Sequence, residues 1–501
     1  MLELSRHEML DKRQITDDLR AARAELHSVT EAYLAHPNEF SSAVTSMADI
    51  QKAIPAGGAL VTIITTKRGS VAIVLPAGAQ TISGENILLI DSFTLPMLGI
   101  ILNGGGDKPG WITVYKNRPN SPKQWKDFLR LLGEELWTLL LSPIHDKLRQ
   151  AFGIRDGGAV VLVVHGGLGL LPLHAASRMQ DGRRRYFLDD FSVSFAATVS
   201  SLVKSAATLE RESKSRAALI VSDPLGDLEL GRVAGEIIAR HFRGEDCDKL
   251  SGQEADPTAV LGRIASKTYL HFSCHGHHSW RHAFDNALIL AAEDLPSLES
   301  ISNIIRWRSS EVFDEIMSVT DEFIESTSET SVADELIEST SKTPVTTGVA
   351  LTLGDIYAKS DLRETRLVFL CGCETGLQDI NQSLNEATDF AAAFQQAGAS
   401  TVISTLWPIS ELAGLFIVVE FYRLHLEDAA PSEALRLAQQ WLRSASAETL
   451  AGLLDRWADS LRDEQLARRL RETSIDFVVM SDQPRPFSHP DDWAAFKCTG
   501  P

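Results

Sequence analysis

Apolar positions along the chain change their period several times, and each change marks a new element. In residues 8–36, EMLDKRQITDDLRAARAELHSVTEAYLAH, they are spaced as on one stripe of a polar amphipathic helix, or two, whose plain role is a solvated packing face. From residue 59 the period shortens. ALVTIITTKRGSVAIVLP, 59–76, has two β-rich runs around Lys67, Arg68 and Gly69 and predicts a hairpin, and NILLIDSF predicts a further strand. Residues 121–153 return to helical spacing, with Ser121 and Pro122 as start signals and Pro143 expected to break the stretch into two helices.

From residue 159 short apolar runs alternate with helical stretches. AVVLVV (159–164), RAALIVSDP (216–224), TYLHFS (268–273), RLVFLC (366–371) and STVISTLW (400–407) read as strands, each run continuous as in a sheet covered on both faces. Helices are expected at 229–242, at 387–398 with Gly398 as its stop, and in the two apolar-periodic stretches after Pro408. Strands alternating with helices predict an α/β fold with a mainly parallel sheet flanked by helices. Residues 293–343 interrupt this order, with thirteen acidic and three basic side chains, and DEFIESTSET (321–330) recurs as DELIESTSKT (334–343). Two short copies do not make a solenoid, so the segment reads as an acidic insertion spanning 293–348.

Composition narrows the classes of function. The formal charge of −19, from 48 Lys and Arg against 67 Asp and Glu, argues against nucleic acid as the main partner, because phosphate neutralisation needs a basic surface. The longest apolar runs have strand or core-helix length, short of the roughly 20 residues of a membrane span. Five cysteines, an odd number, do not form a disulfide framework and suit a reducing, cytoplasmic compartment.

The chemistry concentrates at two strand ends. The 268–273 strand runs into Cys274, His275, Gly276, His277 and His278; the 366–371 strand runs into Gly372, Cys373, Glu374, Thr375 and Gly376. Ligands of open parallel sheets bind at the carboxyl ends of the strands. If the two strands are neighbours, an imidazole and a thiol meet there. A free thiol with a pKa near ~8.5 is only a few per cent thiolate at neutral pH, and a histidine can take its proton. Glycine beside each group allows close backbone approach, and its N–H can face an oxyanion. Cys371 reads as the packed last residue of its strand and Cys373 as the residue presented in the loop.

YLHFSCHG and LVFLCGCETGL resemble the paired signatures of CHAT-domain peptidases, caspase-like proteins grouped with caspases, separases and gingipains. VVLVVHGGLGLLPLHAA (160–176), SDPLGDLELGRVAGEIIARHF (222–242) and ATDFAAAFQQAGASTVISTLWPIS (387–410) are similar to further blocks of that family, in the same order. The resemblance implies a caspase-like sheet and a cysteine endopeptidase acting on a protein substrate, under the control of an activating protein or signalling ligand, with no cofactor or metal. It makes His275 the catalytic histidine and Cys373 the nucleophile, with the backbone N–H groups of Gly276 and Cys373 at the oxyanion. It also implies a paired layout: a helical segment at 1–50, a degenerate lobe at 51–210 with His165 and Gly166 as its echo, and an active lobe at 211–501. Glu411 takes the place of the family's acidic residue after the LWP block. Asp285 and Asp389 are candidate substrate-binding carboxylates for a basic side chain. Three other readings stay open: a catalytically silent scaffold of the same family, a non-proteolytic cysteine hydrolase or transferase, and a structural zinc site built from the cysteines and histidines around His271 and Cys274.

Overall fold

The computed structural model describes residues 45–210, 216–242, 246–277, 286–291, 350–372, 389–479 and 484–501. The expected helix at 8–36 and the acidic insertion at 293–348 lie outside the described residues. The described residues from Met47 onward belong to one compact unit.

Its centre is an eleven-stranded sheet. The strands are β1 (Ala59–Thr65), β2 (Ser70–Pro76), β3 (Ile87–Ile90), β4 (Gly158–Val164), β5 (Phe191–Ala196), β6 (Ala218–Ser222), β7 (Cys247–Ser251), β8 (Tyr269–Ser273), β9 (Leu367–Leu370), β10 (Thr401–Thr405) and β11 (Phe496–Thr499). Their order across the sheet is β7-β6-β8-β9-β10-β11-β5-β4-β1-β2-β3. All neighbours are parallel except β1–β2, β2–β3 and β10–β11. Because β11 is antiparallel to β10 but parallel to β5, β1, β3, β4 and β5 point their carboxyl ends to the edge opposite that of the strands of residues 218–405, and β2 runs against its two neighbours.

The continuous apolar runs have the cause the sequence suggests: both faces are covered, and alternate residues serve opposite cores. On β4, Val160, Leu162 and Val164 enter one core while Val161 and Val163 enter another; on β9, Leu367 and Phe369 divide in the same way from Val368 and Leu370. One face carries a single core, shared with the helices Glu229–Ala239, Glu411–Leu426 and Pro431–Ser444. The other face is split into two cores. Gln395, Ser205 and Ser400 form a hydrogen-bonded polar seam on it.

The 59–76 hairpin forms with Thr65 opposite Ser70. Pro143 does not break the helix as expected. Helical structure runs from Pro122 to Ala151, with wider π turns at Trp137–Leu141 and Lys147–Ala151. In α register the N–H of residue 143 would serve the Leu139 carbonyl; proline has none, and the Ser92 hydroxyl donates to that carbonyl instead at 2.7 Å. Among the described residues no helix is long and apolar enough to cross a membrane.

Candidate active site

β8 and β9 are direct neighbours. They pair in parallel with Phe272 opposite Leu370, and beyond the strand the Cys371 N–H donates to the Phe272 carbonyl at 2.7 Å. The Gly372 carbonyl accepts the Thr405 hydroxyl at the end of β10. The two strand ends that the sequence marks for chemistry therefore emerge side by side, with Gly372 fixed on its far side. Cys373 itself lies outside the described residues, as does Asp285.

His275 follows the end of β8 by two residues, and its Nε2 lies 3.1 and 3.0 Å from the two Asp227 carboxylate oxygens. This leaves Nδ1 without a hydrogen-bond partner among the described residues. Asp227 is placed by the turn after β6. Asp223 and Gly226 take left-handed conformations, φ 50° and 79°, and the Asp223 carboxylate accepts the Leu228 N–H at 2.7 Å. The Asp223 N–H in turn donates to the Ser273 carbonyl at 2.9 Å, tying this turn to the end of β8. Glycine gives Gly226 its left-handed φ at no steric cost, and an aspartate tolerates one better than most residues.

Gly276 and His277 form a short strand at the edge of a separate three-stranded sheet with Ala287–Ile289 and Ala350–Thr352. The His275 carbonyl accepts the Ile289 N–H at 2.8 Å, so His275 and Ile289 are a hydrogen-bonded pair. Antiparallel pairs alternate, and the Gly276–Leu288 pair is the non-bonded kind. The Gly276 N–H therefore points away from its partner strand, to the side on which no described strand pairs with it.

Glu411 opens the Glu411–Leu426 helix, and its carboxylate accepts the Leu230 N–H at 3.1 Å. Burial raises its pKa, and nearby Asp223, Asp227 and Glu229 raise it further against the lowering by that hydrogen bond. The site is ringed by carboxylates on the His275 side.

The CHAT domain family model matches residues 130–501. The chain belongs to that family. The match takes in β4 to β11, whereas β1–β3 precede it within the same sheet. No curated protein sequence matches the chain. Among solved structures, the Saccharomyces cerevisiae separase–securin complex aligns at 10% identity over 78% of this chain and 29% of that one, with a TM-score of 0.44. This CHAT chain thus spans under a third of the separase chain it is aligned with. The Arg-specific cysteine proteinase gingipain R aligns at 9% identity over 76% of this chain and 75% of that one, at 0.36. The complex of Porphyromonas gingivalis RgpB pro- and mature domains aligns at 9% identity over 76% of each, at 0.35.

Other marked residues of this CHAT domain have structural places. Asp389 does not face a cleft as a substrate carboxylate would. It is 3% exposed, caps the Phe390–Gln396 helix through the Ala392 N–H at 2.8 Å, and lies 3.3 Å from Lys497 Nζ. The cluster around His271 separates. His271 packs with Phe369 and Tyr422 on one face of the sheet, its Nε2 2.9 Å from Ser273 Oγ, while Cys274 joins the core on the other face. Cys371 packs at the rim of the large core, its sulfur 3.3 Å from where a Cβ on Gly414 would stand. His165 follows β4, whose parallel neighbours β1 and β5 end in Thr65 and Ala196, without a cysteine. Sequence reasoning missed Asp227. It lies inside the quoted SDPLGD stretch, but only the β6–β8 pairing brings it to His275.

Proposed function

We propose that this CHAT domain is a cysteine endopeptidase with Cys373 as nucleophile and His275 as base, oriented by Asp227. The observation that carries the reading is the pairing of β8 with β9. Cys371 is hydrogen-bonded to Phe272, and covalent geometry keeps the Cα of residue 373 ~3.8 Å from that of Gly372. His275 stands three residues beyond Phe272, as Cys373 stands three beyond Leu370, and Phe272 and Leu370 are partners.

In this reading Nδ1 of His275 takes the proton from Cys373 Sγ. The thiolate adds to the scissile carbonyl, and the oxyanion is met by the Gly276 and Cys373 N–H groups. The imidazolium returns its proton to the leaving amine as the C–N bond breaks, leaving a thioester. Water, deprotonated by His275, then releases the acid product and the thiol. A Gly276 N–H turned away from its partner strand suits the oxyanion task. The substrates are proteins, with an activating protein or signalling ligand controlling access, and the compartment is cytoplasmic. The 51–210 lobe is a degenerate relative of the active one.

Comparison of cellular protein N-termini between wild type and Cys373→Ala tests the activity. New N-termini present only in the wild type support it, and identical profiles under activating conditions refute it. Cys371→Ala removes only a packed thiol and retains cleavage. A Cys371→Ala chain that is folded but inactive would transfer the nucleophile to Cys371.

A further inference from the structure

The end of the sheet remote from His275 holds a cavity of about 380 Å³. Arg216, Tyr269, Arg366, His425 and Asp428 line it, together with the backbone turn into Pro431. Arg216 precedes β6, Tyr269 begins β8 and Arg366 precedes β9, so the cavity lies at the amino ends of three adjacent strands. The Glu411–Leu426 helix ends at it, and the Pro431–Ser444 helix starts from it.

Its lining is unusual for a chain of net charge −19. Among the described residues that line it are two guanidinium groups and one carboxylate, that of Asp428. Arg366 reaches the Leu209 carbonyl at 3.5 Å, a marginal bond that leaves most of its five donors for another acceptor. The N-cap of the Pro431–Ser444 helix is Ala430, which gives no side-chain hydrogen bond to the first turn. That helix begins with Pro431, which has no N–H, and carries Glu433 in its first turn, so the positive character of the cavity rests on the two arginines. Burial lowers the pKa of His425, and both arginines act in the same direction. The rings of Tyr269 and His425, 5.9 Å apart, form an aromatic part of the wall. The volume falls at the lower end of small-molecule pockets, about 300–1,000 Å³.

We propose that this cavity binds a small phosphate-bearing molecule with a planar ring, of mononucleotide size. The phosphate oxygens meet Arg366 and Arg216. The ring lies against Tyr269 and His425, and Asp428 accepts a hydroxyl or amino group. Phosphate is favoured over carboxylate because two guanidinium forks supply donors for three oxygens. The proposal is independent of the peptidase reading, since none of its residues belongs to the His275 site.

Isothermal titration calorimetry of the full chain with adenosine 5′-monophosphate, and separately with inorganic phosphate, tests it. The nucleotide is expected to bind more tightly than phosphate. Arg366→Gln should weaken nucleotide binding about tenfold or more, the scale of losing a charge-assisted pair. Asp428 has φ 80°, a conformation asparagine tolerates, so Asp428→Asn keeps the turn while removing the opposing charge. That variant should bind inorganic phosphate more tightly. Absence of binding by either probe at millimolar concentration overturns the proposal. So does unchanged affinity in Arg366→Gln, or phosphate binding as tightly as the nucleotide.

Discussion

The reactivity of Cys373 towards iodoacetamide tests the site without knowledge of a substrate. At pH 7 an isolated thiol with a pKa near ~8.5 is about 3% thiolate, so a partner that ionises it fully speeds alkylation by roughly thirtyfold at most. His275→Ala should remove that gain. Asp227→Ala should remove far less. The His275 and Asp227 side chains are 39% and 57% exposed, so their contact at 3.0 Å is a solvated one. Such pairs contribute about 0.2–1 kcal/mol, up to about fivefold in rate. A desolvated triad carboxylate would matter by orders of magnitude more. The assay is peptide mapping by mass spectrometry after timed alkylation at pH 7. Cys498 is an internal reference, because it is 1% exposed and burial pushes its thiol up to about 12. An alkylation rate of Cys373 unaltered by His275→Ala refutes the dyad. A loss in Asp227→Ala as large as in His275→Ala refutes the inference from exposure.

Three further outcomes follow from buried groups and chain ends. Lys497→Met strands the Asp389 charge, both side chains being 5% exposed or less, and should cost about 3–5 kcal/mol in urea unfolding. Lys497→Met with Asp389→Asn should regain most of that, since asparagine caps a helix as well as aspartate. Burial lowers the pKa of His271 to about 3 and of His174 to about 4. The unfolded chain then takes up more protons below pH 6.5, so their contribution is complete above that pH and fades as pH falls towards 4 and then 3. Urea midpoints should decline through this window, and His271→Phe should flatten the slope; a midpoint constant from pH 7 to 4 would contradict it. Exchange of residues 293–348 for about six Gly and Ser residues should leave a cooperative fold. Ile289 and Ala350 are already strand partners, and the shorter loop saves about 2 kcal/mol of closure entropy. A folded deletion chain with higher basal cleavage identifies the insertion as a flap, and an unchanged rate leaves it a tether.

What the sequence discloses is what local pattern decides. β4, β6, β8, β9 and β10 are readable because burial on both faces leaves runs of apolar residues. β5 carries Ser192 and Ser194, β7 is the edge strand CDKLS, and β11 is FKCT with a buried lysine, so none of the three shows such a run. Pro143 misleads because its effect depends on a serine 51 positions earlier that satisfies the freed carbonyl. Asp389 precedes an apolar helix and carries an ordinary start signal, but its partner Lys497 is 108 residues away. Asp227 and His275 are 48 residues apart and meet only through strand order.

The same distinction explains how the two described residues that flank 373–388 are held. Residues 373–388 leave the described structure at Gly372 and rejoin it at Asp389. Gly372 is held by Thr405 on β10, and Asp389 by Lys497 on β11. In the β10–β11 register Thr405 is opposite Phe496 and Ser404 opposite Lys497, so both holds rest on adjacent rungs of one antiparallel pair. That pair is also where the two oppositely directed halves of the sheet join. A site whose two signatures are local in sequence thus depends on a strand that sequence pattern does not disclose. Weakening β11 should loosen the hold on Asp389 while β8 and His275 keep their place, because β8 is bonded to β6 and β9 rather than to β11.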